Sequence, residues 1–285
     1  MPIEVHETAV VDPHAELGQN VQIGPHCVVG PHVRLGADCS LRSGVLITGH
    51  TTIGPGNVFF HGCAIGETPQ DLKYRGEPTT LVIGEANTFR EHVTAHIGTG
   101  VAGGVTRIGN GNLFMCSAHV AHDCVVEDRC ILANLVQLAG HVHICTGVVI
   151  GGLVGVNQFV TVGRCSYVTG GSNVRKDVPP FVIADGDPCH PRAINDEGMK
   201  RQGFDADQRE AARRAFRLLY AQRAIARGVE VARTQIEADG PAAELVDFLA
   251  QRLNVPGGRL LETMRNDQSE DRSRFYRQEQ TASPQ

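Results

Sequence analysis

His122, the Asp123 that follows it, and Gly140 eighteen residues after His122 are the residues whose types and spacing could do chemistry. A histidine can act as a general base on a hydroxyl, and a carboxylate beside it can orient the ring or raise its basicity. A backbone N–H that no side chain shields can hold an oxyanion. Together these are the parts of an acyl-transfer site. Columns of residues eighteen apart extend the group: Asp123 lies under His141 and then Phe159, His122 under Gly140 and then Gln158, and His119 under Gln137 and then Gly155.

An offset of eighteen has meaning only if the chain repeats, and it does. From Ile108 an aliphatic or aromatic residue recurs every sixth position through Phe114, Val120, Val126, Leu132, Leu138 and on to Val174. An earlier run goes from Val5 through Val11, Leu17 and Ile23 to Ile65. Neither a helix nor an ordinary strand requires a period of six. A parallel β-helix does: each flat face takes about six residues and each coil has three faces, so residues one coil apart stack about 4.8 Å from each other. The position two before each repeat residue is usually small or β-branched, as at Ala9, Val21, Cys27, Val33 and Cys63. The 33 glycines and the absence of tryptophan suit a narrow coil with tight corners, where glycine's φ freedom is expected to be used.

Two interruptions break the lattice, at 67–82 and 98–106, and read as loops ejected from a rigid scaffold, where binding residues often lie. The lattice stops near Val174, before Asp177-Val178-Pro179-Pro180. The reading is a β-helix domain over 1–188, a helical domain over 189–264 and a disordered tail over 265–285. Residues 181–192 look like a transition. Helices are expected over 207–221, capped by Asp205, over 229–238, over 242–253, and as a short element over 259–264.

A net charge of −5 with no basic stripe gives no reason to expect nucleic-acid binding. No apolar run approaches the ~18 residues of a membrane span, and no leader-like segment opens the sequence, so a cytoplasmic protein is expected. The nine cysteines include no CxxC pair and read as buried, reduced thiols. His14, His26, His32 and His50 read as corner surface residues, and His143 and His190 as structural. A metal reading of His92 with His96, or of His119 with His122, lacks a cysteine pair, and Asp123 beside His122 suits a base better. No metal is expected. A solenoid needs its ends capped and its flat faces covered, which predicts helices over one end and packing of copies about a three-fold axis.

The hexapeptide lattice, Gln70-Asp71-Leu72-Lys73-Tyr74 with Gly76-Glu77-Pro78, Ala118-His119-Val120-Ala121-His122-Asp123-Cys124, Arg129-Cys130-Ile131-Leu132-Ala133-Asn134, Leu138-Ala139-Gly140-His141 and Asp177-Val178-Pro179-Pro180 together resemble the acyl-ACP:UDP-N-acetylglucosamine O-acyltransferase family of lipid A biosynthesis. The resemblance runs from about residue 3 to about residue 255. It implies a left-handed β-helix, an exception to the usual right-handed crossover, and a cytoplasmic homotrimer with active sites between subunits. It implies a 3-hydroxyacyl donor on the phosphopantetheine of acyl carrier protein, UDP-N-acetylglucosamine as acceptor through its 3-hydroxyl, and no bound cofactor. By the same resemblance His122 is the catalytic base, Asp123 its partner and Gly140 the oxyanion donor. Gln70, Asp71, Lys73, His96, His119, His141 and Gln158 fall on substrate-lining positions, Asn195, Glu197 and Arg201 on a nucleotide-binding segment, and Gly170 on the position that gauges acyl length. Three residues depart from the family pattern: Ile97 stands where arginine is usual, Asn157 where histidine is usual, and Gln202 where a second arginine is usual. Acyl transfer to a 3-amino nucleotide sugar is the alternative chemistry, and a non-catalytic trimeric scaffold the alternative of another kind.

Overall fold

The computed structural model describes residues 2–100 and 103–264. Short strands build three sheets of eleven, nine and eight strands, in which the strands of the coils pair in parallel with their counterparts one coil away. The period-six residues form the interior of the prism. Phe114, Leu132, Ile150 and Val168 stack in register on one face. Val120, Leu138, Val156 and Val174 stack on the second, and Val126, Ile144 and Val162 on the third. All are buried. Three sixes make one coil, which is why eighteen is the stacking offset.

The two interruptions leave the stack intact. The Asn57–Asn87 contact spans 30 residues, Asn87–Asn112 spans 25, and Asn112–Cys130 returns to 18. The coil absorbs both excursions as loops. Through this region the interior is a ladder of Phe59, Phe89 and Phe114, whose neighbouring ring centroids lie 4.7 Å apart. Two residues before each phenylalanine sits a buried asparagine. Asn57 Oδ1 accepts from Asn87 N–H and Nδ2, and Asn87 Oδ1 accepts from Asn112 N–H. Amide side chains thus satisfy backbone groups that the loops would otherwise strand.

Glycine supplies the left-handed φ at some corners, as expected, among them Gly44, Gly62, Gly111 and Gly147. Many left-handed corner positions are held by other residues, including Asn20, Asp38, Asp123, Arg129, His141 and Phe159. Glycine is also needed directly after an inward aliphatic residue. A Cβ on Gly36 would lie 2.5 Å from the backbone of Gly54 and Pro55 on the next coil. Coil-to-coil approach, rather than φ, selects those glycines.

Where a transition was expected, Val182–Asp185 and His190–Ile194 form an antiparallel hairpin that extends the largest sheet. Four helices follow: α1 (Asp196–Arg201), α2 (Ala206–Tyr220), α3 (Ile225–Arg233) and α4 (Gly240–Ala250). Asp205 and Gln208 close a reciprocal capping box on α2. α3 lies earlier in the chain than 229–238, and includes Gly228. A Cβ there would come within 2.2 Å of Leu219 O, so the glycine lets α3 press against α2. α4 likewise starts and stops slightly before 242–253, and the short element is a 3-10 turn, Leu260–Met264. The buried pair Arg252–Asp177 (2.6 Å) and the Arg164–Glu244 pair tie the helices to the last coils. The tail expected over 265–285 lies outside the described residues.

Candidate active site

His122 and Asp123 occupy the corner that follows the strand His119–Val120, and both are buried. Asp123 has φ +58°, as do other residues of its corner column, His141 at +62° and Phe159 at +64°. This left-handed turn brings the carboxylate back to its own neighbour: His122 Nδ1 lies 2.8 Å from Asp123 Oδ2. The sequence suggested that His141, one coil away, could also hydrogen-bond the carboxylate. Its Nε2 stands at 3.8 Å instead, a charge contact rather than a hydrogen bond. The His141 ring stacks on Phe159 (4.5 Å, 8°) and meets His122 edge to face at 5.1 Å, fixing the wall behind the pair.

Two residues that sequence reasoning did not single out hold Asp123. Thr99 donates its N–H to Oδ1 at 2.9 Å and its hydroxyl to Oδ2 at 2.6 Å. Thr106 Oγ1 accepts the Asp123 N–H at 2.8 Å. Both threonines flank the second ejected loop. Thr106 lies 17 residues before Asp123, close to the coil offset, and that was the available signal. Burial pushes the Asp123 carboxyl up, but the hydrogen bonds from His122 and Thr99 outweigh it and hold the group below the ordinary carboxylate range. An ionised carboxylate only accepts, so Nδ1 carries the proton and Nε2 presents its lone pair. Asp71, from the first loop, places Oδ2 3.9 Å from that Nε2. The gap is wider than a hydrogen bond.

The Nε2 side opens onto a cleft of about 370 Å³ lined by Gln70, His119, His122, Gln137, Gly140, Gly155, Asn157 and Gln158, with Ala121, Leu138, Ala139 and Val156 behind them. Gly140 lies directly against the base. A Cβ on it would be 2.4 Å from His122 Cε1 and 2.6 Å from Nε2. Its N–H donates to no acceptor among the described residues. The coil geometry explains this: Pro13, Pro25, Pro31 and Pro55, which have no N–H, hold the same place two residues after an inward aliphatic. Gly140 lines the cleft, and its unused donor has no side chain of its own beside it.

His119 accepts or donates a 2.7 Å hydrogen bond between Nδ1 and Thr94 Oγ1, and its ring meets His96 edge-on at 4.8 Å. Burial, with His96 and His122 nearby, pushes His119 down to about 4. Burial lowers His96 as well. Both rings are neutral at neutral pH, so the wall offers hydrogen bonds without charge. A stability effect follows. The unfolded imidazole of His119 takes a proton near its ordinary 6.5, which the native one refuses until about 4. The native state therefore loses stability as pH falls through that window, and the loss levels off below it. Urea midpoints measured from pH 7 to pH 4 should fall more steeply for the native sequence than for His119→Gln; parallel curves would contradict the burial of a neutral His119.

The structure also places the remaining expected residues. Lys73 stands on the Asp71 loop and donates its N–H to Asp71 Oδ1 at 2.9 Å. Asn195 caps α1: its Oδ1 accepts Gly198 N–H and its Nδ2 donates to Cys165 O. Glu197 and Arg201 are exposed one turn apart on α1. None of these three lines the cleft within one chain. Gly170 is exposed one coil above Gly152. Of the departures from the family pattern, Ile97 is 4 % exposed and packs into the core, Asn157 lines the cleft beside Gln158, and the Gln202 amide lies against Gly147.

A β-helix of hexapeptide repeats that sets a carboxylate-held histidine against a bare glycine at a cleft defines a hexapeptide-repeat acyltransferase. Comparisons with known proteins narrow the class. A sequence model of bacterial hexapeptide transferases matches residues 14–49, and that of the UDP-N-acetylglucosamine O-acyltransferase second domain matches residues 177–254. The structure of LpxA from Acinetobacter baumannii is 42 % identical, over 88 % of this chain and 97 % of that one, with a TM-score of 0.83. The UDP-N-acetylglucosamine O-acyltransferase of Moraxella catarrhalis is 42 % identical over 87 % of this chain and 96 % of its own, with a TM-score of 0.81. The UDP-N-acetylglucosamine acyltransferase of Francisella novicida is 32 % identical over 94 % of this chain and 100 % of its own, with a TM-score of 0.83. The chain belongs to the UDP-N-acetylglucosamine O-acyltransferase family, with its left-handed parallel β-helix and C-terminal helices.

Proposed function

We propose that the protein transfers a 3-hydroxyacyl group from the phosphopantetheine of acyl carrier protein to the 3-hydroxyl of UDP-N-acetylglucosamine, the first step of lipid A assembly. The observation that carries this is the His122 ring, held by Asp123 on Nδ1 and open to the cleft on Nε2, with the Gly140 N–H beside it. Nε2 takes the hydroxyl proton as the oxygen attacks the thioester carbonyl. The Gly140 N–H supports the oxyanion. The new ester C–O bond remains, the C–S bond breaks, and the proton on His122 passes to the leaving thiolate. Asp123 keeps the tautomer and steadies the imidazolium. Asp71, across the gap from Nε2, aligns the sugar, and Gln70, Lys73, His96, His119, His141 and Gln158 complete its surroundings.

Glu197 and Arg201, one turn apart on the exposed side of α1, bind the nucleotide end of the acceptor together with the Asn195 segment, across an interface in a homotrimer. In support of self-assembly, Leu113, Ile131, Val149 and Tyr167 form an outward apolar column on the largest sheet. No helix of the described residues is long and apolar enough to cross a membrane, and the reaction belongs in the cytoplasm, where carrier and nucleotide sugar meet. Gly170 leaves the acyl path open to a longer chain. The test is mass-spectrometric detection of transfer from 3-hydroxyacyl carriers of graded length to UDP-N-acetylglucosamine and to its 3-amino analogue. An ester product supports the assignment and reads out chain length. An amide product alone moves the acceptor, and no product from any pair means that the departures near Ile97, Asn157 and Gln202 change the substrate or that the chain returns to a scaffold role.

A further inference from the structure

On the face next to the active site, Glu127, His143 and Cys145 bring a carboxylate oxygen, an imidazole nitrogen and a thiol together within 4.8 Å. None of them lines the catalytic cleft, and the transfer reaction makes no use of them. We infer that these three side chains form a site for one divalent cation of the zinc class, with water completing a tetrahedral shell.

The ligand set is the mixed nitrogen, sulfur and oxygen set that such a cation prefers. The backbone holds it on a rigid sheet. His143 is in register with Val125 on the neighbouring coil, and Glu127 N–H donates to Ile144 O at 2.9 Å. The carboxylate is oriented before any ion arrives. Thr146 donates its N–H (2.9 Å) and its hydroxyl (2.8 Å) to Glu127 Oε2, which leaves Oε1 turned toward His143. Outer partners of this kind are what fix a ligating carboxylate. Oε1 lies 2.6 Å from His143 Nε2, and Cys145 Sγ lies 3.9 Å from the same nitrogen. Ligand atoms around tetrahedral zinc stand about 3.3–3.6 Å apart. Shifts of about 1 Å in these two distances and in the carboxylate–sulfur separation, which is at most 4.8 Å, make the shell. The Glu127 and His143 side chains are 38 % and 31 % exposed in the single chain, which leaves an entry path and room for the water.

The histidine–aspartate group of the active site does not compete on equal terms. Thr99 and His122 already occupy both oxygens of Asp123. Burial pushes the Cys145 thiol up to about 12, and Glu127 nearby adds to the effect. At neutral pH the cation therefore displaces the thiol proton to solvent as the sulfur–metal bond forms. His143 ligates through Nε2 with its proton on Nδ1. Affinity consequently rises with pH. A site here would pin two adjacent coils together beneath the corner against which Gln202 of the helical region packs.

The test uses the full-length protein, reduced and stripped with a chelator, then titrated with Co²⁺ and competed with Zn²⁺. One equivalent of Co²⁺ per chain should raise a near-ultraviolet sulfur-to-cobalt band, and Zn²⁺ should erase it. Cys145→Ser should abolish the band. Glu127→Gln and Thr146→Val should each weaken binding by about 10–100-fold, while acyl transfer by these variants stays within about twofold of the parent. No band at one equivalent overturns the site, as does a band that survives Cys145→Ser. If Cys145→Ser fails to fold, the surface variant Glu127→Gln decides: unchanged Co²⁺ affinity overturns the proposal.

Discussion

His122→Ala should lower kcat/KM for acyl transfer by about 10²–10⁴-fold, the contribution of a positioned general base. The loss should appear in kcat rather than KM, because Nε2 acts on the hydroxyl proton only as the bond forms. Single-turnover kinetics with mass-spectrometric detection measures it directly. Some rate should remain, since the Gly140 N–H and the cleft still bind and polarise the thioester. Thermal unfolding should change little, because the ring lies at a corner and not in the interior column. A variant that keeps more than about a third of the parent rate would remove His122 from the mechanism.

Gly140→Ala should be nearly as damaging for a different reason. The backbone at Gly140 is not in the left-handed region, so alanine is acceptable to the chain itself. The added methyl would stand 2.4 Å from His122 Cε1, and something must move. The Gly140 backbone is fixed by coil pairing on both sides, through Ala139 N–H to Val156 O and His141 N–H to His122 O. The imidazole therefore gives way. A displacement of about 1 Å at a reacting group costs roughly 10²-fold. The expected result is a kcat lowered by about that factor with a melting temperature within a few degrees of the parent. Unchanged kcat would mean that the ring does not sit over the glycine during turnover.

Much of this site was legible because the repeat turns sequence distance into spatial distance. Once the period of six is read, the offset of eighteen stacks His122 against Gly140 and Asp123 beneath His141. The bond that matters most, His122 to Asp123, lies within one coil. It depends on the left-handed φ of Asp123, which a period cannot reveal. Thr99 escaped notice because the second loop shifts the count, so that its contact with Asp123 spans 24 residues. The Thr94–His119 contact spans 25 for the same cause. Asp71 could be put in the site only by family resemblance, since nothing in loop composition says where a loop folds back. In the helical region, α3 begins before the expected 229 and runs through Gly228, whose close packing against Leu219 outweighs its poor helix propensity.

The way both excursions leave the phenylalanine ladder unbroken has a consequence for how this chain can change. Within a coil, one inserted or deleted residue would turn every later side chain to the wrong side, exchanging interior for solvent. Between Glu67 and Thr80 the same change shifts nothing downstream, because pairing resumes at Thr80 with His50 regardless of the length between. Tolerance to length variation is therefore concentrated at the loops that present Asp71 and Thr99, while the histidine they serve is locked in place. The histidine is tied to the architecture, and the segment that carries Asp71 can change length without rebuilding it.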